Sequence, residues 1–277
     1  MLKFAIFVDG ANLSGSLKRM DLKIKFDSYE AFFKHVFASA YDIWRGVTAN
    51  NIQPPAQMLR VNWYEPGSID EWDLSDPKIH MLLRDFFESD RELKRNYMAV
   101  AAFKHQGEPA KDLSEEAWNI CFRESQEWYR KRRDVLEGMR RFHHSLMDST
   151  DFIEIIECGH WKVDLLYRSI TEKGIDTSLA VDMVAMMPSY DVAIVLTGDA
   201  DTIPSINYVK RAGKAVCVVE FLRGGVAPET RGKQSSAKLR AVADFIVPMY
   251  EQELLSKNFA EKLMKPSYAA NSAKPNA

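Results

Sequence analysis

Four aspartates are the residues best placed to do chemistry in this chain: Asp9 in IFVDGAN, Asp176 in GIDTSLAVDM, and Asp199 and Asp201 in IVLTGDADTIP. Each stands where an apolar run or a helix start meets a turn. Carboxylates brought together repel one another and resist full ionisation unless a cation sits among them. Magnesium and manganese prefer oxygen ligands, and magnesium keeps several waters, so a few carboxylates suffice. An ion held there would polarise a phosphate, offset charge in the transition state and lower the pKa of an attacking water. Asn12 is placed to orient a water or a phosphate without adding charge, and Asp182 is a supporting acid.

Bringing such distant residues together requires a sheet. FAIFVD (4–9), MLRVNWYE (58–65), FIEIIE (152–157), DVAIVLTGD (191–199) and AVCVVEF (215–221) are strand-like. The first is continuously apolar, as a strand buried on both faces is. Helical patterns separate them, at 28–44, 77–149, around the Lys-Gly break in 164–187, at 202–213 and at the start of SSAKLRAVADFIVPM, whose FIV is a candidate edge strand. Strands alternating with helices predict an α/β fold with a mainly parallel sheet and right-handed crossovers. Ligands of such sheets bind outside the carboxyl ends of the strands, where Asp9, Asp199 and Asp201 would lie.

Between 77 and 149 the pattern is helical, with a break around 97–109. Leu82, Leu83, Phe86 and Phe87 form one apolar face. A longer helix starts near Asp112 or Ser114. In it Cys121, Trp128, Val135 and Phe142 fall seven apart, with Phe122, Tyr129 and Leu136 beside them. That stripe predicts a packed face, within the chain or against a second copy in a homodimer. The stretch from about 67 to 150 is expected to be a helical elaboration inserted in one domain covering 1–250. Residues 251–277 form a C-terminal extension whose end, KPSYAANSAKPNA, is poor in large apolar residues and expected to be disordered.

Taken singly, each acid has a plainer reading. Asp9 before Gly10 serves as a turn residue, Asp201 as the cap of a helix starting at Thr202, and Asp176 as the cap of the helix after it. The totals restrict the field. Of 277 residues, 46% are hydrophobic and 27% charged, as in an ordinary globular protein. The net charge of -2 gives no global pull on nucleic acid, so local basic patches must supply it. Cys121, Cys158 and Cys217 match no metal-ligand spacing, which favours a reducing, cytoplasmic setting, and Cys217 reads as core. The first strand-like run has no basic segment before it, and no apolar run approaches the ~20 residues of a membrane span, so neither secretion nor membrane insertion is expected.

FVDGAN, KGIDTSLAVDM and AIVLTGDADTIPSINYVKRAGKAVCVV together resemble the NYN domains of the PIN-like nuclease superfamily, in particular its LabA-like branch. SSAKLRAVADFIVPM is similar to that branch's closing segment. The likeness covers most of 1–66 and 151–249 and leaves 67–150 outside the family's pattern. It implies a three-layer α/β/α sandwich and a metal-dependent ribonuclease, with Mg2+ or Mn2+ held by Asp9, Asp176, Asp199 and Asp201. Asn12 would be their polar companion, and Asp182 matches a second acidic position of the helix motif. The alternative from another class is a non-cleaving RNA-binding or regulatory module that keeps the fold. A haloacid-dehalogenase-like phosphatase is disfavoured because its second aspartate would fall at Ala11, and a dinucleotide enzyme because no glycine-rich turn follows the first strand.

An acidic site repels phosphate, so flanking bases must recruit RNA. Candidates are Lys173, Lys210 and Arg211, then Arg223, Arg231 and Lys233 in the loop after the fifth strand. The long helix adds a basic cluster from Arg130 to Arg133. Its plainer reading is a solvated face balanced by Glu115, Glu116, Glu124 and Glu127. Trp161 and His160 are placed to stack on a base, but such residues more often lie at the edge of the core, which is the reading preferred for them.

Overall fold

A computed structural model describes residues 1–48, 54–104, 112–225 and 237–263. Its elements run in chain order as β1 (Leu2–Asp9), α1 (Gly10–Arg19), β2 (Leu22–Ile24), α2 (Tyr29–Val47), β3 (Ala56–Ile69), α3 (Pro77–Ser89), α4 (Arg91–Lys104) and α5 (Leu113–Ser149). They continue with β4 (Ile153–Asp164), β5 (Ser169–Lys173), α6 (Ile175–Ala185), β6 (Val192–Leu196), α7 (Ile203–Arg211), β7 (Ala215–Leu222), α8 (Ala237–Val242), β8 (Phe245–Tyr250), α9 (Glu251–Ser256) and β9 (Ala260–Lys262). The fold is the mixed α/β class that the alternation of strands and helices predicts, with a mostly parallel seven-stranded sheet.

The chain divides into two compact units, residues 1–61 with 180–277, and residues 62–179, so β3 and α6 each pass from one to the other. In the first unit β1 pairs with β6, β6 with β7, and β7 with β8, all parallel. Phe4, Ala5, Ile6, Phe7 and Val8 are fully buried along β1, as the unbroken apolar run requires. Cys217 is fully buried in β7, as expected. Residues beyond 250 fold back onto this unit, for β9 pairs antiparallel with β2, Leu22 opposite Lys262 and Ile24 opposite Ala260.

The second unit holds α3, α4 and α5, which pack with the β4–β5 hairpin around Phe87, Trp118, Cys121 and Tyr129. Asp112 starts α5 by accepting the backbone N–H groups of Ser114, at 2.9 Å, and Glu115, at 3.2 Å. With 37 residues, α5 is about 55 Å long.

Three expectations need correction. Residues 164–187 are not helical throughout: β4 extends to Asp164, a turn follows, and β5 precedes α6. The turn bends at Arg168, whose φ of 50° is left-handed without a glycine to mark it. On α5 the stripe is only partly as expected: Cys121, Tyr129 and Leu136 are buried, joined by His143, while Val135 is exposed. On α3 only Leu83 and Phe87 are buried, while Leu82 and Phe86 face outward. The expected disorder after residue 264 and the bases Arg231 and Lys233 lie outside the described residues.

Candidate active site

Parallel pairing of β1 and β6 sets Val8 opposite Leu196, so the next residues, Asp9 and Thr197, leave the sheet side by side. Asp9 is 3% exposed and caps α1. Its Oδ1 accepts the Asn12 backbone N–H at 2.9 Å, and its Oδ2 accepts the Asn12 side-chain amide. Thr197, also buried, donates its hydroxyl to Asp9 Oδ2 at 3.4 Å and accepts the Asp199 backbone N–H at 3.1 Å. One hydroxyl thus ties the two strand ends together.

Beyond β6 the chain turns tightly. Asp199 Oδ1 accepts the Asp201 N–H at 3.0 Å, so Asp199 caps the short 3-10 turn at 200–202 that leads into α7. The buried Thr202 hydroxyl donates to the Asp199 carbonyl at 2.8 Å. Asp201 is not a cap; it is exposed in the first turn. Gly198 has a steric reason to be glycine: a Cβ there would stand 2.8 Å from Asn12 Oδ1.

Sequence reasoning missed three contributors. A small cleft of ≈10 Å³, about the room one water needs, is bounded by Asn12, Ser16, Thr197, Gly198 and Glu220. Glu220 of β7 is 2% exposed and accepts a hydrogen bond from Arg240 of α8. Neither Glu220 nor Arg240 stands in a recognisable spacing with the other acids. Thr197 was visible only as the residue before Gly-Asp.

Asp176 belongs to the second unit. It is the second residue of α6, inside the first turn, so it is not the helix cap. Gly174, with φ of +97°, supplies the left-handed bend that starts this helix, and its carbonyl accepts the Ser178 N–H at 3.0 Å. Asp182, six residues along the same helix, is half-buried in the first unit. Among the described residues, no three His, Cys, Asp or Glu side chains gather closely enough to hold a metal ion between them.

The candidate RNA-binding bases fall into two groups. Lys210 is engaged internally, with its ammonium donating to the Val242 carbonyl at 2.6 Å and lying 2.9 Å from Asp244. Arg223 is likewise tied to the Arg19 carbonyl and to Asp21. Lys173, Arg211, Arg130 and Arg133 are exposed, and Arg133 lies over the Tyr129 ring, 6.0 Å from its centroid. His160 lies on β4, one strand in from the β5 edge, held by Asp70 at 2.7 Å and Ser68 at 2.8 Å.

A model of the NYN domain matches residues 82–249. The match includes α5, which the resemblance read from the sequence left outside, and it excludes Asp9 and Asn12. No curated protein matches the chain. A solved structure of a protein of unknown function from Vibrio parahaemolyticus is similar at 15% identity and a TM-score of 0.42, over 94% of this chain and 96% of that one.

Proposed function

Because the chain belongs to the NYN domain family, of the PIN-like nuclease superfamily, we propose that it is a metal-dependent endoribonuclease of the LabA-like branch, acting in the cytoplasm. The observation that carries the reading is the Asp9–Thr197–Asp199 hydrogen-bonded link at the carboxyl ends of β1 and β6. Ligands of α/β sheets bind at this edge.

The donors fit Mg2+ or Mn2+ in kind: Asp9, Asp199, Asp201 and the Asn12 amide offer only hard oxygens. They fit it in number as well, since magnesium is usually held by one or two carboxylates, waters and substrate phosphates rather than by an all-protein cage. Such an ion polarises the scissile phosphate and lowers the pKa of the attacking water. Asn12 and Thr197 fix the Asp9 carboxylate in one orientation, so little rearrangement is needed when charge develops. Asp201, exposed beside Asp199, is open to solvent and substrate. In this reading Asp176 supplies a further carboxylate, with Asp182 in support.

A second reading, a non-cleaving RNA-binding module, draws on the fact that no three acids gather among the described residues. Cleavage of pooled RNA with Mn2+ separates the two. Wild type is expected to cleave, and Asp9→Asn and Asp199→Asn to lose at least a hundredfold. Equal cleavage by all three proteins, or none by any, would sink the nuclease assignment.

A further inference from the structure

The second unit contains a cavity of ≈590 Å³ that none of the candidate acids lines. Its size lies within the ~300–1,000 Å³ of ordinary ligand sites. The α3–α4 junction forms one wall and the β4–β5 hairpin the other.

Two features set it apart from a gap in packing. First, two large aromatic rings on its rim are turned to solvent: Phe86 is 58% exposed and Tyr167 62%. Tyr167 is nevertheless held firmly. Its hydroxyl donates to Asp90 Oδ2 and its backbone N–H to Asp164 Oδ1 at 3.0 Å. Asp90 is itself fixed as the cap of α4, accepting the N–H groups of Glu92 at 3.1 Å and Leu93 at 2.9 Å. The next residue, Arg168, adopts its left-handed conformation with its guanidinium 2.6 Å from Glu124 of α5. An exposed ring fixed in this way loses little conformational freedom when something stacks on it.

Second, the hairpin lays cations along the floor. In the β4–β5 register Lys162 stands opposite Thr171 and His160 opposite Lys173, so both lysines share one face. Among the described residues neither ammonium is held in an ion pair, although Lys162 acts electrostatically on Asp70, which is already bound to His160 and the Val163 N–H. Of the two acids of the cavity, Asp90 accepts hydrogen bonds through both oxygens, from Glu92, Leu93 and Tyr167, and Asp164 accepts the Tyr167 N–H through Oδ1. Apolar rings beside unpaired ammonium groups match a flexible polyanion with stacking faces. Lys173 lies three residues before Asp176, within the same unit.

We infer that this cavity binds single-stranded RNA, with bases stacked on Tyr167 and Phe86 and phosphates at Lys162 and Lys173, so that the strand leads toward Asp176. The choice of RNA rests on the nuclease reading above. The cavity's role as a binding site rests on its own geometry.

The test is fluorescence anisotropy with a labelled single-stranded RNA octamer of mixed sequence. The full chain carries Asp199→Asn and the buffer contains EDTA, so binding is read without cleavage. Tyr167→Ala and Phe86→Ala are each expected to weaken binding about tenfold or more, within the range for loss of one stacked base. Tyr167→Phe, which keeps the ring, is expected to bind within about threefold of the parent. Lys162→Gln with Lys173→Gln should reduce the slope of log affinity against log salt by about 1.4, at ~0.7 per phosphate contact on a single strand.

Unchanged affinity in both alanine variants overturns the proposal, as does a Tyr167→Phe variant as weak as Tyr167→Ala, or a blunt RNA duplex bound as tightly and through the same residues. Binding through Tyr167 by a wild type that cuts no RNA would defeat the nuclease assignment and leave the cavity standing. Cleavage by wild type, with binding indifferent to Tyr167 and Phe86, would do the reverse.

Discussion

The Thr197 hydroxyl donates to the Asp9 carboxylate at 3.4 Å while accepting the Asp199 N–H at 3.1 Å, so the acids ending two neighbouring parallel strands share one buried side chain. Thr197→Val preserves shape and removes both bonds. It is expected to lower cleavage at least tenfold and stability by about 1–2 kcal/mol, the cost of leaving a half-buried N–H and a buried carboxylate without their hydroxyl partner. Thr197→Ser should keep most of both. Urea melts and initial rates on the same preparations check this; a valine variant with wild-type rates would show that the link does not orient Asp9.

Gly198→Ala puts a methyl group 2.8 Å from Asn12 Oδ1, and the Asn12 side chain cannot retreat without loosening its amide's bond to Asp9 Oδ2. A loss of about 1–3 kcal/mol is expected from the overpacking, together with reduced cleavage. In the Gly198→Ala, Asn12→Ala double variant part of that stability should return, because the methyl group then meets no amide. Strict additivity in melting experiments would contradict the contact.

How far the sequence revealed this site depends on what kind of signal each residue leaves. β1 and β6 were legible because strands buried on both faces need unbroken apolar runs, and the aspartates just beyond them were conspicuous against that background; β7 was legible although Glu220 interrupts its run. The β4–β5 hairpin was not. Leu165, Leu166 and Tyr167 continue an apolar pattern that reads as helix, and the turn residue with positive φ is an arginine rather than the usual glycine or asparagine. Phe86 belongs to a helical apolar face by spacing alone, and only the packing of α3 shows which half of that face is covered. Glu220 looks like a single interruption of a strand; its partner Arg240 is twenty residues away, on a different element.

That pair gives a further prediction. Glu220 is 2% exposed, and the Arg240 side chain beside it is about half exposed. Arg240→Met is expected to destabilise the first unit by about 1–3 kcal/mol, the range for a buried acceptor losing a charged donor. Adding Glu220→Gln should restore part of the loss. A double variant no more stable than Arg240→Met alone, measured by chemical denaturation, would mean that the two side chains do not act as a pair.

Acid sensitivity should trace in part to His143. Burial pushes its imidazole from the ordinary 6.5 down to about 4, with the charge of neighbouring His144 adding to the effect. The Glu65 carboxylate lies 3.6 Å away, and the same oxygen accepts the Trp63 indole N–H at 2.7 Å. Below about pH 6.5 the unfolded chain therefore takes up a proton that the folded state refuses until about pH 4. Stability from this group is complete above 6.5 and falls as pH drops to 4, by at most ~3 kcal/mol. His143→Gln, neutral throughout, should show a shallower loss between pH 7 and pH 4.5 in urea melts; parallel curves would assign the acid sensitivity elsewhere.

The nuclease assignment stands on a divalent ion at the strand ends, and electron paramagnetic resonance of Mn2+ titrated into wild type, Asp9→Asn and Asp199→Asn tests this most directly. Asparagine caps a helix about as well as aspartate, so the fold should survive both changes. Wild type is expected to take up the ion in the concentration range that supports RNA cleavage, and each variant to bind it at least tenfold more weakly. Uptake of Mn2+ by both variants with wild-type affinity would contradict a metal site built on Asp9 and Asp199.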